Sequence, residues 1–200
     1  MRYNSITSSL DLLKNSFETL KSAQKIESLM FIVQKGLKDS NLKVLIHSLT
    51  YLSKIVGFMK TEISGFLKIF IEPAMVSLGC SNTSIRDAAY DVCVLLGIHC
   101  SNDELVPLMA AQMMKTSPKG RAVALSLVCG LLGGIRNRAY LEGDLLNLAY
   151  KFVDDSRVDI RNEASKILVF LYRSLGSVVL ESVPTKKLHR VINVISNKID

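Results

Sequence analysis

The chain has 200 residues, 48% hydrophobic and 22% charged, with a formal net charge of +7. That composition excludes a disordered polyelectrolyte and suits one domain, or one block of a repeat array, with a continuous core. The positive balance favours acidic partners such as nucleic acid, an anionic membrane or an acidic protein surface.

Four prolines, no tryptophan and apolar residues at non-alternating spacing point to helix. Residues 4–19 carry Leu10, Leu13, Phe17 and Leu20 on one helical stripe. Residues 22–38 carry Ile26, Leu29, Met30, Val33 and Leu37 on another, ending near Asp39, Ser40 and Asn41. A third helix follows Val44, Leu45, Leu49, Leu52, Ile55, Val56 and Met59, and closes at Gly57, Lys60 and Thr61. A fourth covers 62–79 and should bend at Pro73, which removes a backbone hydrogen bond.

After the turn at Cys80, Ser81 and Asn82 comes a helix over 83–98. Ser101 to Glu104 has the pattern of a capping box opening a helix over 102–115, with Pro107 in its early part. Thr116, Ser117 and Pro118 form a turn with proline at the first helical position. The helix 118–135 is the most apolar in the chain. Its Gly130 could permit close helix contact, and Gly133 and Gly134 read as a frayed end. Arg136–Tyr140 reads as a loop. Residues 141–154 and 157–175 form a further pair, split at Asp155 and Ser156 and ended by Gly176. A last amphipathic helix spans about 185–198.

The expected architecture is therefore all-α, with about ten helices and short connections. Ser81–Leu96 and Ser156–Leu171 repeat each other at an offset of 75 residues, sharing Ile-Arg-x-x-Ala at Ile85, Arg86, Ala89 and Ile160, Arg161, Ala164. The turn serines Ser40, Ser81, Ser117 and Ser156 are separated by 41, 36 and 39 residues. Two helices per period near 40 mark a HEAT or armadillo-type α-solenoid, in which no unit buries its stripe alone.

Cys80, Cys93, Cys100 and Cys129 have no metal-like spacing and read as reduced thiols of an intracellular protein. No signal peptide is evident. The longest apolar run, Ala122–Ile135, is too short to span a membrane.

The unit resembles a HEAT repeat over roughly residues 22–200. Pro73, Ile85, Arg86 and Ala89 fit its pattern, as do Asp155, Ile160, Arg161 and Ala164. Asp39 and Val44 fit with Leu45 where arginine would stand. The third unit fits least, with Arg121 at the hydrophobic position and Ala122 at the arginine. The size and turn style are most similar to the TOG family, which includes CLASP, crescerin and a ciliary-tip centrosomal protein. The resemblance implies that residues 1–200 form a single TOG-like domain that binds tubulin through the turns inside each repeat. Two departures stand out. The family places a tryptophan in the first such turn and has six repeats; this chain has no tryptophan and four complete repeats plus a flanking helix at each end.

On that reading the binding edge carries Lys38 and Lys43 at the first turn and Asn82, Thr83 and Ser84 at the second. Lys115, Lys119 and Arg121 stand at the third and Arg157 at the fourth, beside Asp154, Asp155 and Asp159. Such cations suit an acidic protein surface through charge-assisted hydrogen bonds. Arg86 and Arg161 are expected to be structural, bonding carboxylates or carbonyls of neighbouring repeats, and Asp39 and Asp155 to be turn and capping residues. Arg136, Arg138, Lys186, Lys187 and Arg190 form a second basic cluster, but no aromatics are interleaved for base stacking.

No catalytic motif is present, and His47, His99 and His189 lie in different repeats. The expected function is non-catalytic binding of αβ-tubulin, with no cofactor and no small-molecule substrate, in a cytoplasmic, cytoskeletal, ciliary or centrosomal setting. Two alternatives remain. One is a general HEAT scaffold that binds another protein through its second helices. The other is a basic helical-repeat nucleic-acid binder or glycosylase, disfavoured because such glycosylases rely on tryptophans.

Overall fold

The structure, a computed structural model, describes residues 23–199. The helix expected over residues 4–19 lies outside them. The described residues are helical with no strand. They fall into two compact units, one ending at Cys100 and one beginning at Ser101.

The first unit holds α1 (Ala23–Leu37), α2 (Leu42–Met59), α3 (Leu67–Ser77) and α4 (Thr83–His99). Packing follows the pairwise logic of a repeat. α1 packs on α2 and α3 on α4, while α2 lies against α4 and α1 touches α3. Each short turn reverses the chain, so α2 and α4 run parallel and start at the same edge. The expected stripes supply the core: Leu49, Leu52, Ile55, Phe70, Ile85 and Leu96 are fully or almost fully buried. Gly36 on α1 meets Ser48 of α2 so closely that an added methyl would displace the serine.

The helix expected over 62–79 is split. Lys60–Phe66 is 3-10 helix, and α geometry begins only at Leu67. The break falls at Lys60, whose positive φ of 53° ends α2. Pro73 lies within α3, where Ser77 Oγ donates to the Pro73 carbonyl at 2.7 Å. Leu42–Ser77 is long and apolar enough to cross a membrane by length and composition alone. Its apolar face is occupied, since Leu52, Val56, Phe70 and Ile71 are buried in the unit.

The second unit holds α5 (Asn102–Gln112), α6 (Pro118–Leu131), α7 (Leu146–Phe152), α8 (Val158–Leu175), α9 (Val178–Glu181) and α10 (Leu188–Ile199). α8 is its centre and packs against α6, α7, α9 and α10. Several local expectations are corrected here. Ser101 is the N-cap of α5 but makes no side-chain cap bond, so the capping box is absent. Instead, Asp103 Oδ1 accepts the backbone N–H groups of Arg136 and Asn137 at 2.8 and 2.9 Å, tying down the connection after α6.

α6 stops at Leu131, followed by a 3-10 turn over Leu132–Gly134. Gly134 is not merely a frayed end. Asn102 sits against it and donates to the Leu131 carbonyl at 2.6 Å, so any Cβ there would collide with the amide. Arg136–Tyr140 is not all loop, because Arg138–Tyr140 forms a helical turn capped by Asn137. A π-helical stretch over Leu141–Leu145 leads into α7. Gly176, at φ 64°, ends α8. α9 is a short helix without a periodic signal of its own. Lys187, grouped above with a basic patch, is engaged internally: its Nζ donates to the Tyr150 carbonyl at 2.5 Å and lies 3.5 Å from Asp154.

Candidate functional site

The intra-repeat turns are built by a recurring local device. Each second helix starts at an N-cap: Asn41 for α2, Asn82 for α4, Ser117 for α6 and Arg157 for α8. Three positions further on lie Val44, Ile85, Gly120 and Ile160, all buried. One position beyond these lie Leu45, Arg86, Arg121 and Arg161. The third repeat is therefore in register, with Gly120 at the hydrophobic position and Arg121 at the arginine. The expected misfit arose because the turn serine of that repeat, Ser117, is itself the N-cap, whereas Ser81 and Ser156 precede theirs.

The arginines do the same work in the second, third and fourth turns. Arg86 Nη1 donates to the Cys80 and Ser81 carbonyls at 2.8 and 2.7 Å, and Nη2 to Thr83 Oγ1 at 2.9 Å. Arg161 Nη1 donates to the Asp155 and Ser156 carbonyls at 2.7 and 2.8 Å. Arg121 donates from Nε to Met113 O and from Nη2 to Thr116 O, both at 3.2 Å, and lies 5.3 Å from the Phe152 ring centroid. These bonds run to the arginine's own turn, not to a neighbouring repeat. They satisfy backbone carbonyls of the turn that follows each first helix.

The aspartates form a second matched pair. Asp39 Oδ1 accepts the Asn41 N–H at 2.8 Å, and Asp155 Oδ1 accepts the Arg157 N–H at 3.0 Å. Each thus orders the N-cap of the following helix. Asn82 caps α4 by accepting from Ile85 N at 3.3 Å.

At the first and third turns, what remains outermost is cationic. Lys38 and Lys43 are exposed at the first turn, and Lys115 and Lys119 at the third. Arg157 is also exposed, but it forms an ion pair with Asp159, with Nη2–Oδ2 at 2.6 Å and Nε–Oδ1 at 3.0 Å. That hydrogen bond and the opposite charge raise the Arg157 pKa and lower that of Asp159. The fourth turn thus presents a locally neutral pair. At the second turn, exposed Thr83 accepts from Arg86, leaving that turn polar rather than cationic.

Two turn residues escaped sequence reading. Leu42 and Val158 occupy the first helical position of α2 and α8 and are 49% and 59% exposed. Each directly follows an N-cap, and only the placed side chain shows it turned away from the core stripe.

Two of the cysteines are held in their unreactive form. Burial pushes the Cys93 thiol up to about 12. Burial, reinforced by Glu163, does the same to Cys129. Both stay protonated near neutral pH, and the thiolate is the reactive form. Among the described residues no group of His, Cys, Asp or Glu could hold a metal.

Paired helices with arginine-clamped turns give the chain a HEAT-type helical-repeat fold, and solved TOG domains share it. Solved structures carry the point. The TOG domain of Zyg9 from C. elegans matches at a TM-score of 0.78 with 17% identity, over 97% of this chain and 76% of that one. A TOG domain of crescerin, whose TOG array regulates microtubules in the primary cilium, matches at 0.72 with 17% identity, over 98% and 84%. A TOG domain studied for its tubulin-binding specificity matches at 0.72 with 14% identity, over 96% and 74%. No family model matches the sequence, and no curated protein matches it.

Proposed function

We propose that the protein is a non-catalytic tubulin-binding domain with a cytoskeletal role, its intra-repeat turns meeting the acidic surface of αβ-tubulin. The observation that carries this reading is the division of labour in the turns. Arg86, Arg121 and Arg161 fix the backbone of their turns from inside, while Lys38, Lys43, Lys115 and Lys119 stay exposed. Fixed turns lose little conformational entropy on binding, and exposed lysines supply long-range attraction. Leu42 and Val158 add apolar contact at the first and fourth turns. Solved TOG chains of the same fold, including those tied to tubulin binding and to microtubules of the cilium, support the partner and a cytoskeletal, ciliary setting.

The test is co-elution with soluble αβ-tubulin at low salt on a sizing column. The wild type should co-elute, and added salt should weaken the complex, because exposed charges are screened within about 10 Å at 0.1 M. The double variant Lys115→Glu/Lys119→Glu should lose co-elution while its thermal melt moves little. Arg121 is left in place because removing it would loosen the turn itself. Undiminished co-elution of the double variant overturns this surface. Salt-sensitive binding to duplex DNA without tubulin binding would replace the reading by a nucleic-acid one.

A further inference from the structure

A groove between the first helices of the second unit is unused by the turn edge. α5 lines it with Pro107, Ala110 and Ala111, and the spacing continues into the following turn at Met114. The segment leading into and through α7 answers with Asp144, Asn147, Leu148 and Lys151. Both sets are spaced i, i+3, i+4 and i+7, which is one face of a helix. Two such faces normally interlock ridge into groove. Here they stand apart over a half-open groove of about 430 Å³.

The local sequence explains the gap. Pro107, Ala110 and Ala111 are too small to reach across. The π-helical stretch Leu141–Leu145 widens the backbone before α7, and such single-turn bulges recur at functional sites. Tyr140 also lines the groove and is only 8% exposed, and its buried hydroxyl has no hydrogen-bond partner among the described residues. A buried tyrosine hydroxyl ordinarily finds one. Met114, adaptable in shape, is 53% exposed at the end nearest the third turn.

The charges give the groove a direction. Asp144 and Lys151 lie on the same helical face two turns apart, roughly 10 Å. An occupant therefore meets an acid at one end and a base at the other, with an apolar floor between them. Walls made of two helical stripes fit a third helix better than an extended strand, because its own i, i+3 and i+4 side chains match the spacing of the walls.

We propose that this groove docks one amphipathic α-helix of a partner protein, its apolar residues over Ala110, Ala111 and Leu148, a basic residue at Asp144 and an acidic residue at Lys151. The turn lysines take no part, so the site stands or falls independently of tubulin binding. It would let the domain hold a second protein while its turns are engaged.

The test uses a fluorescein-labelled, helix-stapled probe peptide with leucines at i, i+3 and i+4, a lysine at one end and a glutamate two turns along. Fluorescence anisotropy with the full chain should show saturable binding at micromolar protein. A probe with lysine and glutamate exchanged should bind at least ten-fold more weakly. Ala111→Phe, at an exposed position, fills the groove and should abolish binding with an unchanged circular dichroism melt. The exchange variant Asp144→Lys/Lys151→Asp should reverse the preference between the two probes, which a merely structural role would not do. Lys115→Glu/Lys119→Glu should bind the first probe as the wild type does. Equal affinity for both probes, full binding by Ala111→Phe, or elution of the free chain as a dimer that excludes the probe would each overturn the proposal.

Discussion

Replacing Phe70 with alanine should lower the unfolding free energy by about 3–5 kcal/mol, the usual cost of removing a buried aromatic side chain. Phe70 is fully buried in α3, among the largest side chains with no exposure at all. Its neighbours in sequence, Ile71 and Ala74, are buried too, so the helix cannot simply roll to close the cavity. The loss combines lost transfer energy with unrelieved cavity, because interiors are close-packed. Urea denaturation followed by circular dichroism reads it as a lower midpoint at constant slope. A change within 1 kcal/mol of the wild type would refute Phe70 as a keystone of the first unit. At the stabilities typical of domains, about 5–15 kcal/mol, the variant should also show a visibly lowered melting temperature.

Arg161→Ala should cost about 1.5–3 kcal/mol, the range for hydrogen bonds to a charged group. Its Nη1 alone serves the carbonyls of Asp155 and Ser156, so the substitution leaves two acceptors to solvent and frees the turn. Arg161 is half-buried, which keeps the effect below that of a core cavity. Arg161→Lys should recover only part of the loss, since a lysine presents no planar fork to the two carbonyls. Arg86→Ala should behave alike, with a further bond to Thr83 removed. By contrast Lys119→Glu should stay within about 0.5 kcal/mol, as surface substitutions do. If Arg161→Ala melts like the wild type, the clamp is not a stabilising device. The same comparison separates structure from binding: an arginine variant would weaken tubulin co-elution through folding, a lysine variant without it.

Sequence and structure agree most where periodicity is strong and diverge where backbone geometry is local. The stripe Leu49, Leu52, Ile55 and Val56 was legible because a period of 3.6 survives any packing arrangement. The split at Lys60–Phe66, the π-helical stretch at Leu141–Leu145 and the stop at Leu131 were not, because the same residues could continue an α-helix. The arginine repeat was legible at Arg86 and Arg161 by spacing alone. At Arg121 it was misplaced by one position, since only the cap geometry reveals that the third turn is a residue shorter before its helix. The site was half legible. Lys38, Lys43, Lys115 and Lys119 could be placed on turns by counting from the serines. That Arg157 is matched by Asp159, and that Leu42 and Val158 stand exposed, required side-chain placement.

Taken by itself, the sequence determined an all-α chain of paired helices at a period near 40 residues, because amphipathic stripes and turn residues are local properties of the polymer. Side-chain placement alone decided that Arg121 is consumed inside its turn and that Arg157 is paired with Asp159, leaving lysines at the surface. Tertiary structure also decided that α5 and α7 stay apart over a groove instead of closing. The groove depends on distances between residues remote in sequence, since Ala111 and Leu148 line it together. No periodicity encodes such distances, because they follow from how whole helices stack.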